Sequence, residues 1–187
     1  MKKRGSRKKS IPGGGNGGDT RQQAHWLLNE GARFLRQRQP GEAVHRLEQA
    51  HRLAPTLIEV AINLGGAYVM QGRHAEAAVV LEEASRLEPD NVMIWINLAA
   101  AYLGPLEDSI QEGQARAIVA FERALALDPK APSVNYNLGL IYTQRGETQR
   151  AAAHFWRALE VDTSDQDARL RLRQLGYLDM QPPGGEA

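Results

Sequence analysis

Four asparagines recur along the chain at intervals of 34, 34 and 40 residues. Each primary amide offers both a hydrogen-bond acceptor and donors, which match the C=O and N–H groups of a peptide backbone. Asparagine is a mediocre helix former, so its regular return within helical sequence favours a role in binding. The spacing predicts a row of amides that can hold an extended peptide, the asparagine ladder: Asn29, Asn63, Asn97 and Asn137.

The residues of this chain that could take part in catalysis are not arranged as in an enzyme active site. The chain has no cysteine, which excludes disulfides, thiolate metal sites and cysteine nucleophiles. The glycine-rich residues 13–18 are not followed by the Lys-Ser/Thr pair of a phosphate-binding loop, and no serine or threonine is placed with a base. We therefore expect no enzymatic activity, no metal and no cofactor. The histidines lack metal-site spacing and are expected at the surface or at helix caps: His25, His45, His51, His74 and His154.

The asparagines belong to a longer repeat that predicts paired helices. Small residues let two helices approach closely, an aromatic fills the space beside them, and a proline ends each unit because it cannot continue a helix. Five columns are in register across four copies. The small residues are Gly31, Gly65, Ala99 and Gly139, and the aromatics are Phe34, Tyr68, Tyr102 and Tyr142. Alanines follow at 43, 77, 117 and 151 and at 50, 84, 124 and 158, and the units close at Pro55, Pro89, Pro129 and Thr163.

With these columns the chain resembles the tetratricopeptide repeat (TPR) family over about residues 24–165. The resemblance implies an all-α, right-handed solenoid of four helix-turn-helix repeats, at about 24–57, 58–91, 92–131 and 132–165, closed by a capping helix at about 165–175. Trp95 is the only copy of the family's signature tryptophan, and Thr163 replaces the last proline. Capping residues are expected at Thr56 with Glu59, and at Ser164 with Asp167.

The face of each first helix that carries the asparagine is predicted to line a sheltered groove. A helix side exposed to bulk water should carry Lys and Glu, whereas this stripe is mostly apolar or small. The ladder looks like the one in the repeat domain of the O-linked N-acetylglucosamine transferases, which holds extended peptides by their backbone. The charged clamp of chaperone-binding members is disfavoured, because Met93 and Asn97 stand where two of its cations are expected. The predicted peptide-binding residues are the four asparagines with Ile62, Met93, Ile96 and Tyr136.

Charge divides the chain into a basic start and an acidic remainder. Six lysines and arginines lie within residues 2–9, and beyond residue 19 there are 17 basic and 21 acidic residues. Residues 1–19 are predicted to be a disordered basic, Gly-rich tail, residues 20–176 the repeat domain, and residues 177–187 a C-terminal tail. The tail could contact nucleic acid or an anionic membrane by electrostatics, which leaves a second hypothesis open beside a peptide-binding adaptor.

The sequence also predicts where the protein acts and where its repeat is irregular. No apolar run is long enough to span a membrane, and no apolar segment of a signal peptide follows the basic start. With no cysteine, these features favour a cytoplasmic protein. The third copy holds six extra residues near 104–113, which are interpreted as a tolerated insertion that extends the next helix backwards, or as a contact loop.

Overall fold

The computed structural model of the protein describes residues 17–104, 110–131 and 133–178. Within these ranges it has nine α-helices and no β-strand, which confirms the predicted all-α class. The helices are α1 Gly17–Arg36, α2 Pro40–Leu53, α3 Ile58–Met70, α4 His74–Leu87, α5 Val92–Tyr102, α6 Ile110–Leu127, α7 Val134–Gln144, α8 Thr148–Val161 and α9 Gln166–Gln174. None of the described helices is long and apolar enough to cross a membrane.

The first eight helices form four hairpins that stack in chain order. Each odd-numbered helix packs on the even-numbered helix that follows it, and α2, α4 and α6 each contact the first helix of the next hairpin. The first helices also contact one another from α1 to α3 and from α3 to α5. Helix α9 packs on α8 and buries Ala168 and Leu172 against the last hairpin, as expected for a capping helix.

The small residue of each hairpin lies directly under a large side chain of the partner helix. A Cβ atom built on Gly31, Gly65 or Gly139 would lie 2.5–2.6 Å from a carbon atom of Leu47, Leu81 or Phe155, respectively. These distances are shorter than any real carbon contact, so the helix axes are closer than a side chain would permit. The alanine columns beside them are buried in all four hairpins. The hairpins are therefore held by tight packing of apolar atoms, as in protein interiors generally.

The helix ends confirm the role of the prolines but not all of the predicted caps. Helices α2, α4 and α6 end two residues before Pro55, Pro89 and Pro129. The predicted capping box at Thr56 is wrong, because α3 begins after Leu57 and has no side-chain cap. At α9 the cap is Asp165, whose carboxylate accepts a hydrogen bond from the Ala168 N–H at 2.9 Å.

Neighbouring hairpins are joined by a repeated tyrosine–carboxylate pair. The Tyr68 hydroxyl donates to Glu48 Oε1 of the preceding hairpin at 2.9 Å, and the Tyr102 hydroxyl donates to Glu82 Oε1 at the same distance. Arg73 lies over the Tyr68 ring, 4.2 Å from its centroid, and also contacts Glu48. Burial, and then the hydrogen bond to Glu48, raise the pKa of Tyr68 to about 12. Each pair fixes the angle between consecutive hairpins, because both partners are half-buried or buried.

The fourth hairpin departs from this regular arrangement. The equivalent tyrosine, Tyr142, makes no hydrogen bond to Glu122 within the described residues; its ring instead stacks on His154 with a centroid distance of 5.4 Å. Helix α7 also begins two positions later than α5 does in the aligned repeat, after Ser133, whose φ is 60°. Helix α6 has 18 residues, whereas α2, α4 and α8 have 14 each. The extra residues lie at its start, as predicted by the interpretation in which the insertion extends this helix backwards.

The predicted tails and part of the insertion lie wholly or partly outside the described residues. Helix α1 begins at Gly17, inside the segment 1–19 that was predicted to be a tail. The basic residues 2–9 and residues 105–109 of the insertion lie outside the described ranges, so the predictions for them remain predictions from sequence.

The two adjacent glycines of α3 give a test of the tight helix pairing. Gly65→Ala places a methyl group against Leu81 and should lower the free energy of unfolding by about 1–2 kcal/mol. Gly66→Ala has no atom within 4 Å and should raise it by about 0.5–1 kcal/mol, because alanine is the better helix former. Urea denaturation of both variants checks this, and effects of the same sign would contradict the packing described.

The turn inside the first hairpin contains a strained residue. Arg38 has a φ of 55°, whereas the aligned positions of the second and fourth hairpins are Gly72 and Gly146, both with a φ of 74°. Arg38→Gly should raise the free energy of unfolding by about 0.5–1 kcal/mol because the left-handed conformation carries no Cβ penalty in glycine. Gly72→Ala is the matched control and should destabilise. Thermal melts of the two variants that shift in the same direction would refute this interpretation.

Candidate peptide-binding groove

The structure places the four predicted asparagines at equivalent positions of the four first helices. Asn29 lies on α1 and is exposed, whereas Asn63, Asn97 and Asn137 lie on α3, α5 and α7 and are half-buried. All four side chains are on the helix side away from the small residues that contact the second helices, because the asparagine precedes the small residue by two positions. The amides are therefore accessible from one side of the stack of first helices.

The asparagines differ in how far their amides are already occupied. Asn63 Nδ2 donates to the Glu59 carbonyl of its own helix at 2.7 Å, so its donor has a partner and its acceptor Oδ1 remains available. Within the described part of the chain, Asn29, Asn97 and Asn137 make no side-chain hydrogen bond. Asn97 is thus the best placed of the central pair to offer both donor and acceptor to a ligand.

The apolar residues predicted beside the asparagines are also on the first helices. Ile62 and Ile96 are half-buried and contact the core, while Met93 is 48% exposed at the start of α5. Tyr136 is half-buried, and its ring meets Phe155 edge-on with a centroid distance of 5.6 Å. This side of the helices therefore offers partly exposed apolar atoms between the amides. Met70 and Leu103, at the ends of α3 and α5, add further exposed apolar surface.

The first helices of the last three hairpins are almost without charge. Helices α5 and α7 contain no charged residue, and α3 contains only Glu59. The second helices are very different, since α4 alone carries Glu76, Glu82, Glu83 and Arg86. The side lined by α3, α5 and α7 therefore carries a single charged residue, Glu59.

The regular spacing of the asparagines does not continue through the whole stack. Helix α1 contacts α3, and α3 contacts α5, but within the described residues α5 and α7 make no comparable approach. The sequence interval between Asn97 and Asn137 is also six residues longer than the others. The first helices therefore approach one another most closely over the part that carries Asn29, Asn63 and Asn97.

A buried polar pair in the fourth hairpin was not predicted from the sequence. Asn135 is 5% exposed, and its Oδ1 lies 3.0 Å from Nδ1 of His154, which packs between α7 and α8 rather than at the surface as expected. Burial, and then the nearby Arg157, lower the pKa of His154 to about 4. A sequence signal did exist: the aligned residues of the other hairpins are Leu27, Ala61 and Trp95, so an amide in this column is out of pattern.

The described residues hold no arrangement suited to metal binding. No group of three or more His, Asp or Glu side chains could bind an ion there. What the groove offers is amide hydrogen bonds and apolar contact, which are the means of binding a peptide.

Comparison with protein families identifies the repeat. A family model described as TPR repeat matches residues 65–104 and 114–144, and two models described as tetratricopeptide repeat match residues 34–83 and 132–165. Together these matches cover the hairpins from α2 to α8 apart from the insertion. A search of curated proteins finds no match to the sequence.

Solved structures share the fold at low sequence identity. MamA from Desulfovibrio magneticus RS-1 (residues 41 to the end) is 21% identical over 83% of this chain and 86% of that one, with a TM-score of 0.66. TTC0263, a thermophilic TPR protein of Thermus thermophilus, is 20% identical over 85% and 84%, with a TM-score of 0.70. A tetratricopeptide repeat protein from Parabacteroides merdae is 24% identical over 82% and 59%, with a TM-score of 0.65. At these identities the likeness establishes the TPR solenoid fold.

The buried histidine makes the stability of the fourth hairpin depend on pH. The unfolded chain binds a proton at His154 near the ordinary pKa of 6.5, whereas the folded chain binds it only near 4. Acidification therefore favours the unfolded state across this interval. The full shift corresponds to about 2 kcal/mol between pH 7 and pH 5, and solvent screening of the half-buried ring lowers the expected loss of stability to about 1 kcal/mol. His154→Gln keeps a hydrogen-bond donor for Asn135 and should show a smaller loss of stability over that range. Urea denaturation at both pH values, with exposed His45→Gln as the control, measures the difference; an equal loss in both variants would contradict it.

Proposed function

The chain belongs to the tetratricopeptide repeat family, and we propose that it is a non-catalytic adaptor that binds an extended, largely uncharged peptide segment of another protein along α1, α3, α5 and α7. TPR folds typically serve as protein-interaction scaffolds. The proposal adds to this a site, the groove face of the first helices, and a class of ligand.

The low charge of α3, α5 and α7 carries the proposal, whereas α1 at one end of the groove contains several charged residues. Glu59 is the only charged residue among helices α3, α5 and α7, so a charged ligand residue buried there would lose water without gaining a partner. Apolar and uncharged residues have no such cost, and Ile62, Ile96 and Met93 give them apolar atoms to contact. Ligand selection by the groove therefore favours peptides without charges in their central part.

The spacing of the asparagine amides suits an extended backbone. Stacked helices lie roughly 9–10 Å apart, which is about three residues of extended chain at ~3.3 Å each. Asn29, Asn63 and Asn97 would thus pair with every third backbone unit of the ligand. A helical ligand hydrogen-bonds its own backbone and would leave these amides unused, which is why we infer an extended one.

The alternative function through the basic segment has less support. Residues 2–9 lie outside the described residues, so this alternative rests on their composition alone. Electrostatic binding to nucleic acid or anionic lipid should weaken steeply with added salt, whereas binding in a neutral groove should respond little. A salt titration of any observed binding separates the two.

Asn63 and Asn97 differ in whether the side-chain donor already has a partner, and this difference gives a test of the proposed function. Peptides selected on the full chain from a random display library should bind Asn97→Ala about fivefold more weakly, as expected for a net hydrogen-bond contribution of about 1 kcal/mol. Asn63→Ala should cost less, because the Asn63 donor is already bonded to Glu59. The double variant should approach tenfold or more. Isothermal titration calorimetry measures each affinity.

The control for this experiment is a substitution that also removes a side-chain amide but lies outside the groove. Gln149→Ala removes an exposed amide from α8 and should leave affinity unchanged. Thermal melts must show all variants folded, which is expected because alanine favours helix and no core volume is lost. Full affinity in a folded double variant would place the ligand elsewhere, and a joint loss of affinity and stability would mean that the asparagines support the fold.

A further inference from the structure

One side of α1 is left uncovered where every later first helix is buried. Within the described residues α1 has close neighbours on two sides only, α2 and α3. In α3, α5 and α7 the residues on the remaining side are 0–3% exposed, because they pack in cores shared with the second helix of the preceding hairpin. They are Val60, Leu64, Ala67, Ile94, Leu98, Ala101, Val134, Leu138 and Ile141. The aligned residues of α1 are Trp26, Glu30 and Arg33, here called the N-terminal face.

The N-terminal face combines opposite charges with aromatic rings. Glu30 and Arg33 are one turn apart, and their side chains pair at 2.8 Å while remaining 30% and 45% exposed. Trp26 lies one turn before Glu30 and is half-buried. The guanidinium carbon of Arg33 lies 4.6 Å from the ring centroid of Phe34, which is also half-buried. Arginine and large aromatic side chains carry much of the binding energy at protein interfaces, so this composition suits contact with another protein surface.

The helix at the opposite end of the stack has a different composition. A terminal helix of a solenoid needs a polar outer surface, and α9 has three arginines and no aromatic residue. Its Arg173 stands in the column of small residues, where so large a side chain prevents a further second helix from packing closely. Helix α1 instead has Trp26 and Phe34 in the columns that face a preceding hairpin, and both are partly exposed. The outer side of α1 therefore lacks the polar character of a closed end.

The charges of the N-terminal face are complementary to those of a second copy of the chain. When two α1 helices lie antiparallel about a two-fold axis midway between residues 30 and 33, Glu30 of each copy faces Arg33 of the other. Trp26 of each copy then faces the end of the other helix, next to Phe34 and Gln37. A parallel arrangement would instead place like charges against each other. Every contact of a two-fold interface occurs twice, so the antiparallel pairing forms two ion pairs between the copies.

We propose that the chain forms a two-fold dimer through the N-terminal faces of antiparallel α1 helices. This inference does not depend on the proposed function of the groove. The net charge of +1 at pH 7 gives little long-range repulsion between two copies. Trp26, Glu30 and Phe34 are half-buried, so the interface is smaller than that of a standard stable complex. The dimer should therefore be weak and reversible, with a Kd of about 10–100 μM.

The symmetry of this dimer places both asparagine-bearing sides in the same direction. Asn29 precedes Glu30 by one position, which is about 100° around the helix, so the groove side of α1 stays free when the N-terminal face is covered. A two-fold axis perpendicular to the antiparallel helices, and to the line that joins them, reverses the direction of stacking but not the direction in which the groove opens. Two grooves on one side of the dimer would bind a partner that has two peptide segments more tightly than a single groove does.

Charge reversal on the full chain tests the proposal. Glu30→Arg leaves two arginines on each N-terminal face and Arg33→Glu leaves two glutamates, so each variant alone should dimerise about tenfold or more weakly than the wild type. An equimolar mixture of the two variants should dimerise about as well as the wild type, because the arginines of one meet the glutamates of the other. The double variant Glu30→Arg/Arg33→Glu should also behave like the wild type. Sedimentation equilibrium over about 1 μM to 1 mM protein measures each Kd.

Arg150→Glu is the matched control, because Arg150 also belongs to an exposed ion pair with a residue three positions away, Glu147, but lies on α8. It should leave the Kd unchanged. A wild-type chain that stays monomeric throughout the series, as it would if residues 1–16 covered the N-terminal face, would overturn the proposal. A dimer whose Kd is the same in both single variants would form through another surface and would also overturn it. Single variants that do not dimerise when mixed would refute the antiparallel arrangement.

Discussion

The contact between a small residue and the large side chain opposite it is the constraint on which the rest of this structure depends. Where Gly65 meets Leu81 there is no space for even one more carbon atom, and the same holds for Gly31 and Gly139. This close approach fixes the distance within each hairpin and so determines which side of the first helix is left for other contacts. The asparagine, two positions before the small residue, is then held on the opposite side in every repeat. Formation of the core and presentation of the groove are consequences of the same packing.

Hydrogen bonds between neighbouring hairpins also stabilise the stack. Tyr68 and Tyr102 each reach a carboxylate of the preceding hairpin, and an arginine lies over each ring. The first hairpin has Phe34 in this column, where no described helix precedes it, and the fourth has Trp156 where the others have glutamate. At Tyr142 the ring stacks on His154 instead of pairing with Glu122, and α5 and α7 approach each other less extensively than α3 and α5 do.

The uneven distribution of charged residues between first and second helices relates this packing to the proposed function. The second helices carry three or four charged residues each, while α3, α5 and α7 hold one between them. In the proposed function, this surface makes many weak contacts of similar strength along its length, which suits an extended peptide.

The sequence by itself determined the features that repeat. Columns of glycine, alanine, aromatic and proline recur at fixed intervals because every hairpin has to meet the same packing demand, and so the helical class, the four repeats and the position of the asparagines could all be predicted. The tertiary structure decided what differs between repeats. The bond of the Asn63 amide to Glu59 depends on a side-chain conformation, the contact of half-buried His154 with Asn135 joins residues 19 apart in sequence, and the start of α7 after Ser133 depends on a single backbone angle. A periodic pattern contains no information about such departures, which became visible only in the folded chain.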